Sequence, residues 1–154
     1  MGIGVAMNIL LITTWDRPCG IAESSFYLKR SVEAADPTIC VEPDMVTEPT
    51  LLHPGPVLER IWRQHEVLHL NYHAALHSQW TPEAVCAAQR LGYEVVITYH
   101  DTGVPNSEQC KALHAVADAF VVHEPCEDLP GAIYWRQGVP FWDESPYAYG
   151  VKSP

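Results

Sequence analysis

The run Glu66-Val-Leu-His-Leu-Asn-Tyr-His73 is followed, after residues 74–80, by Thr81-Pro-Glu-Ala-Val-Cys-Ala-Ala-Gln-Arg-Leu-Gly92 and then by Tyr93-Glu-Val-Val-Ile-Thr-Tyr-His100-Asp-Thr-Gly103. Two short apolar runs flank one segment of helical periodicity, the pattern of a β-α-β unit with parallel strands. Thr81 suits the helix cap and Pro82 its first turn, where an amide has no partner to lose. Gly92 suits a left-handed helix end. Each strand runs into polar residues: Asn71, His73 and His77 after the first, His100, Asp101 and Thr102 after the second. Ligands of open parallel sheets sit outside the carboxyl ends of the strands, so binding or chemistry is expected there.

The rest of the chain repeats the alternation. Residues 8–13 form a continuous apolar run that reads as a central buried strand. Residues 14–20 are turn-rich, and 21–35 carry helical spacing. A second strand is expected over 38–41, ended by Glu42-Pro43. Residues 43–56 hold four prolines and read as a long loop. A short helix is expected over 57–64, and a further helix over 106–117, with Asn106 as cap and Gln109 completing a capping box. Strands follow at 119–122 and, as a last short one, at 132–135. The expected fold is α/β, a three-layer sandwich with a Rossmann-like, mostly parallel sheet and helices on both faces. Residues 1–7 read as a lead-in, 8–139 as the domain and 140–154 as an aromatic, proline-rich tail.

Composition bounds the function. The chain has 154 residues, 47% of them apolar, enough for one domain with a core. A formal net charge of −10 argues against nucleic acid and anionic membrane as partners. The five cysteines are odd in number and widely spaced, with no Cys-x-x-Cys, and read as free thiols of a reducing compartment. No basic stretch precedes an apolar run at the N-terminus, and no apolar run nears the ~20 residues of a membrane span. A cytoplasmic protein is the expectation.

Three features bear on chemistry. Gly20 opens a helix, whose free amides and dipole favour an anion, but Glu23 in the first turn opposes one, and neither G-x-G-x-x-G nor a P-loop lysine is present. Asn71, His73, His77, His100, Asp101, His123 and Glu124 converge if the sheet is parallel; His100-Asp101 is the leading acid-base pair. His69, inside its strand, reads as a core histidine. Trp15, Tyr72, Trp80 and Tyr99 lie near the same strand ends and suit either packing or the face of a sugar. A G-x-S-x-G nucleophile elbow is lacking. Cys19 precedes a helix N-terminus, but no neighbour in sequence makes it a nucleophile.

Arg17-Pro-Cys-Gly-Ile-Ala-Glu23 after a first strand, together with Val67-Leu-His-Leu-Asn-Tyr72, Thr98-Tyr-His-Asp-Thr102 and Val121-Val-His-Glu124 at successive strand ends, resembles the N-terminal domain of GT-B fold glycosyltransferases of the retaining, group-1/family-4 type. The resemblance spans residues 8–138. It implies a domain shaping the acceptor side of an interdomain cleft, with Gly20 near a donor diphosphate and His100 lining the reaction centre. It implies no metal and no other cofactor. It also implies a second Rossmann-like domain or chain that holds the nucleotide sugar, so residues 1–154 alone are not expected to complete a transfer. Where many relatives have two glycines in the first loop, this chain has one.

On this reading His100 and Asp101 stand at the reaction centre. Gly20, Asn71, Tyr72, His73, Thr102, His123 and Glu124 bind a sugar or sugar nucleotide. The alternative is a small stand-alone hydrolase of an ester or lactone, in which His73, His77, His100, Asp101 and His123 supply acid-base groups or hold a divalent metal that activates water. The spacing of those residues matches no standard metal motif. A third reading is an interaction module docking through the aromatic segment 141–149. A homodimer is open under any of them.

Overall fold

The computed structural model describes residues 6–15, 19–44, 64–100 and 107–135. They form a six-stranded, all-parallel sheet in the order β2-β1-β3-β4-β5-β6. The strands are β1 (Met7–Ile12), β2 (Ile39–Asp44), β3 (Val67–Tyr72), β4 (Glu94–Tyr99), β5 (Ala119–Val122) and β6 (Ile133–Tyr134). The helices are α1 (Gly20–Ala35), α2 (Ala74–His77), α3 (Pro82–Arg90) and α4 (Glu108–Val116). From β1 the chain goes to one side for β2 and to the other for β3. The carboxyl ends of β1 and β3 therefore form the switch point of a doubly wound α/β sheet.

Alternation along the strands sorts side chains onto two faces. Leu10, Ile12, Leu68, Leu70, Tyr72, Val95, Ile97, Tyr99, Phe120 and Val122 pack with Trp80, Ala84, Val85 and Ala88 from the α3 side and Cys110 and Leu113 from α4. On the opposite face Thr13 and Asn71 reach Ser25 of α1, where Ile21, Ala22 and Ser25 are buried, and Leu11 is buried as well. Helices thus cover both faces, as the alternating pattern implied.

Local chemistry explains the element ends. Thr81 caps α3 by accepting from the Ala84 amide, and Pro82 occupies the first turn. Gly92 has φ 102°, a left-handed turn that favours glycine. Asp118 ties α3 to the sheet: its carboxylate accepts from the Val95 amide at 2.8 Å and from Gln89 at 3.1 Å.

Several expectations shift. β2 does not end at Glu42-Pro43 but runs through Asp44. Among the described residues it is an edge strand that pairs only with β1, so a proline lacking an N–H is tolerated there. The Val41 amide of this edge donates to Glu33 and its carbonyl accepts from Lys29, both reaching over from α1. The cap of α4 is Ser107, whose hydroxyl accepts from the Cys110 amide, rather than Asn106. Serine is as good a cap as asparagine, and sequence alone does not choose between neighbours. The first strand starts at Met7, inside the segment read as a lead-in. Residues 74–77, read as loop, form α2. No disulfide joins any of the five cysteines. The helix expected over 57–64 and the tail 140–154 fall in segments outside the described residues, Gln64 excepted. Among the described residues no helix is long and apolar enough to cross a membrane.

Candidate functional site

The carboxyl edge of β3, β4 and β5 gathers the histidines. The His100 amide donates to the Tyr72 carbonyl at 2.8 Å, carrying the β3–β4 ladder one residue past the strand. Register places His73 beside His100, and His123 directly follows β5. His100 Nδ1 lies 3.3 Å from His123 Nε2, with ring centroids 4.7 Å apart. His123 Nδ1 is 2.9 Å from the Trp135 carbonyl, and the Trp135 amide donates to the Val122 carbonyl at 2.9 Å. The His100 partner seen here is thus His123 on the next strand. Asp101 and Thr102, expected to act with it, lie outside the described residues.

The remaining nitrogen, His100 Nε2, is buried and has no hydrogen-bond partner among the described residues. Burial first, then the neighbouring His123, His69, His73 and His77, push the His100 pKa down to about 3. A buried polar nitrogen of this kind costs stability unless something satisfies it.

Asn71 offers a second one. Its Nδ2 donates to Ser25 Oγ at 2.6 Å, while Ser25 itself donates to the Ile21 carbonyl at 2.7 Å. The Ser25 proton is spent on Ile21, so its oxygen accepts from Asn71 and from Thr13. That assigns the Asn71 amide: nitrogen toward α1, oxygen away. Asn71 Oδ1 is then a buried acceptor without a partner among the described residues. Asn71 is paired with Thr98, two residues before His100, and their side chains share the α1-side face.

The other histidines do local work. His73 caps α2 by accepting from the Ala75 amide, and its own amide donates to His77 Nδ1 at 3.1 Å. His77 is buried, and burial followed by the nearby His73 lowers its pKa to about 4. His69 Nε2 shares a 2.8 Å hydrogen bond with Thr98, and burial brings it to about 4. It is hydrogen-bonded but half-buried, short of the core position the sequence suggested.

Tyr72 and Tyr99 stack in the core with Trp80 beside them, so these rings pack rather than line the edge. Glu124 is exposed. Gly20 is exposed at the start of α1, behind Cys19, whose sulfur accepts from the Ala22 amide. A Cβ on Gly20 would meet nothing within 4 Å, so packing does not require glycine there. Among the described residues no three His, Cys, Asp or Glu side chains form a metal-holding group. The residues that sequence reasoning missed are Ser25, Thr13 and the Trp135 carbonyl. Their roles depend on strand register and on a backbone oxygen, neither of which leaves a motif.

Fold and edge together define a doubly wound α/β domain with a histidine-lined carboxyl edge. Comparison with known protein families, curated proteins and solved structures returned no match.

Proposed function

We propose that the chain is the acceptor-side, N-terminal-type domain of a GT-B glycosyltransferase, binding sugar hydroxyls at the carboxyl edge of β3–β5. One observation carries this reading: two buried polar atoms, Asn71 Oδ1 and His100 Nε2, lie on the same face of adjacent strands with no partner among the described residues. Strand geometry separates their Cα atoms by roughly 8 Å, from ~4.8 Å between strands and ~6.6 Å along two residues. A ligand the size of a sugar ring reaches both and brings the hydroxyl protons they lack. A second domain or chain would supply the donor, as the resemblance implies.

The hydrolase reading asks more of His100. A general base works best with a pKa near the operating pH. At about 3, His100 is a hydrogen-bond acceptor that resists protonation, which suits holding a hydroxyl better than activating water.

Calorimetric titration with UDP- and GDP-sugars and with the free sugars, in EDTA and then with calcium or zinc, tests the proposal. Metal-independent binding that falls at least tenfold in H100A is expected. Metal-dependent binding with no response to sugars, followed by ester or lactone turnover, would overturn it. Sugar transfer by the isolated chain would remove the need for a second domain.

A further inference from the structure

The relay from the β6 edge into the site determines which way hydrogen bonds run there. The Trp135 carbonyl can only accept, so His123 Nδ1 carries the proton and donates to it. In the form where each ring holds a single proton, His123 Nε2 is then a lone pair. His100 Nδ1, 3.3 Å away, must carry the proton that fills it. A neutral imidazole has one N–H, so His100 Nε2 is left as a bare acceptor. This is the tautomer opposite to the Nε2–H form that free histidine prefers.

We propose that His123, anchored on the Trp135 carbonyl, is a positioning residue that locks His100 in its Nδ1–H tautomer and so makes the buried edge an acceptor-only surface, open to ligand hydroxyls or N–H groups and closed to phosphate and carboxylate. The inference deepens the sugar-binding reading by naming what sets the ligand chemistry at this point. Asn71 reinforces it, because Ser25 turns the amide oxygen, not its nitrogen, away from α1. Phosphate or carboxylate oxygens would set lone pair against lone pair at both atoms. A donor diphosphate is therefore held elsewhere, and the hydroxyl-bearing part of a ligand meets this edge.

The groups facing His100 do not undo the lock. His69 on β3 and His73 and His77 at the β3–α2 corner act on the ring as neighbouring imidazoles, and each opposes a positive charge on it. His73 and His77 are engaged with backbone amides, and His69 with Thr98.

The test is the tautomer itself, read by long-range proton–nitrogen NMR on 15N-labelled full chain near neutral pH. His100 Nε2 is expected to give a pyridine-type resonance and Nδ1 a pyrrole-type one. The H123Q amide can still donate to Trp135 and accept from His100, so it should keep that pattern. H123F can do neither and should move His100 toward Nε2–H. A pyrrole-type Nε2 in the wild type overturns the proposal, and so does an unchanged tautomer in folded H123F. If H123F does not fold, wild type and H123Q decide: a pyridine-type Nε2 in both supports the lock, and its loss in H123Q overturns it. Because no ligand is used, failure of sugar binding would sink the functional reading and leave this result standing.

Discussion

Ser25 shows how one hydroxyl sets the polarity of a site. It donates to the Ile21 carbonyl and accepts from Thr13 and Asn71, so a single α1 residue orients a β3 amide. Removing it in S25A leaves buried donors on Thr13 and Asn71 unmatched, and each costs about 1–3 kcal/mol. A drop of roughly that size in unfolding free energy is expected by urea titration, along with weaker sugar binding as Asn71 loses its orientation. Unchanged stability would mean the network is not formed. N71A removes one of the two acceptors but leaves His100, so binding should weaken while the His100 tautomer stays as it is.

At the scale of the element, caps and edges matter more than propensity. Helices α3 and α4 are each 9 residues long, too short to hold their shape in water without packing and capping. T81A and S107A remove a side-chain oxygen that accepts from the first turn, and each should cost about 1 kcal/mol. The two sites lie on different helices, so the double variant should show nearly the sum. Denaturant midpoints of the three proteins check this, and no change in S107A would return the cap to a neighbouring residue. At the other end of the sheet, Lys29 and Glu33 answer the outward backbone groups of Val41 and blunt an otherwise open edge.

The whole molecule carries a pH dependence set by its interior histidines. His69 and His77 stand near 4 and His100 near 3, against 6.5 when exposed. Between those values the unfolded chain binds more protons than the folded one, so stability rises with pH. The contribution is complete above about pH 6.5 and is lost as pH falls toward 4. At ~1.4 kcal/mol per pH unit, His69 alone accounts for at most on the order of 3 kcal/mol. The carboxylates with lowered values, Glu33, Asp36 and Glu83, act below their ordinary 3.8–4.5 and leave this window to the histidines. Urea midpoints at pH 7 and pH 4.5 should differ clearly, and H69N should flatten the slope. A flat wild-type profile would show that these rings are not held neutral.

The α/β class, the parallel sheet and most element boundaries are legible in the order of residues along the chain. Periodicity of 2 and 3.6, Thr81-Pro82 and Gly92 are local signals, and local physics decides them. The same alternation pointed to the carboxyl edge and to His100 and His123 as residues of interest. It did not show that Pro43 sits inside an edge strand, because edge position belongs to the sheet. Nor did it tell that Tyr72 packs in the core while Asn71 beside it faces α1, although strand alternation made some such split inevitable. His100 reads with Asp101 in the linear chain. Tertiary structure gives it His123, 23 positions away, and through that ring the Trp135 carbonyl. Hydrogen-bond direction is a property of a closed chain of partners in space, and only the folded register brings those partners together.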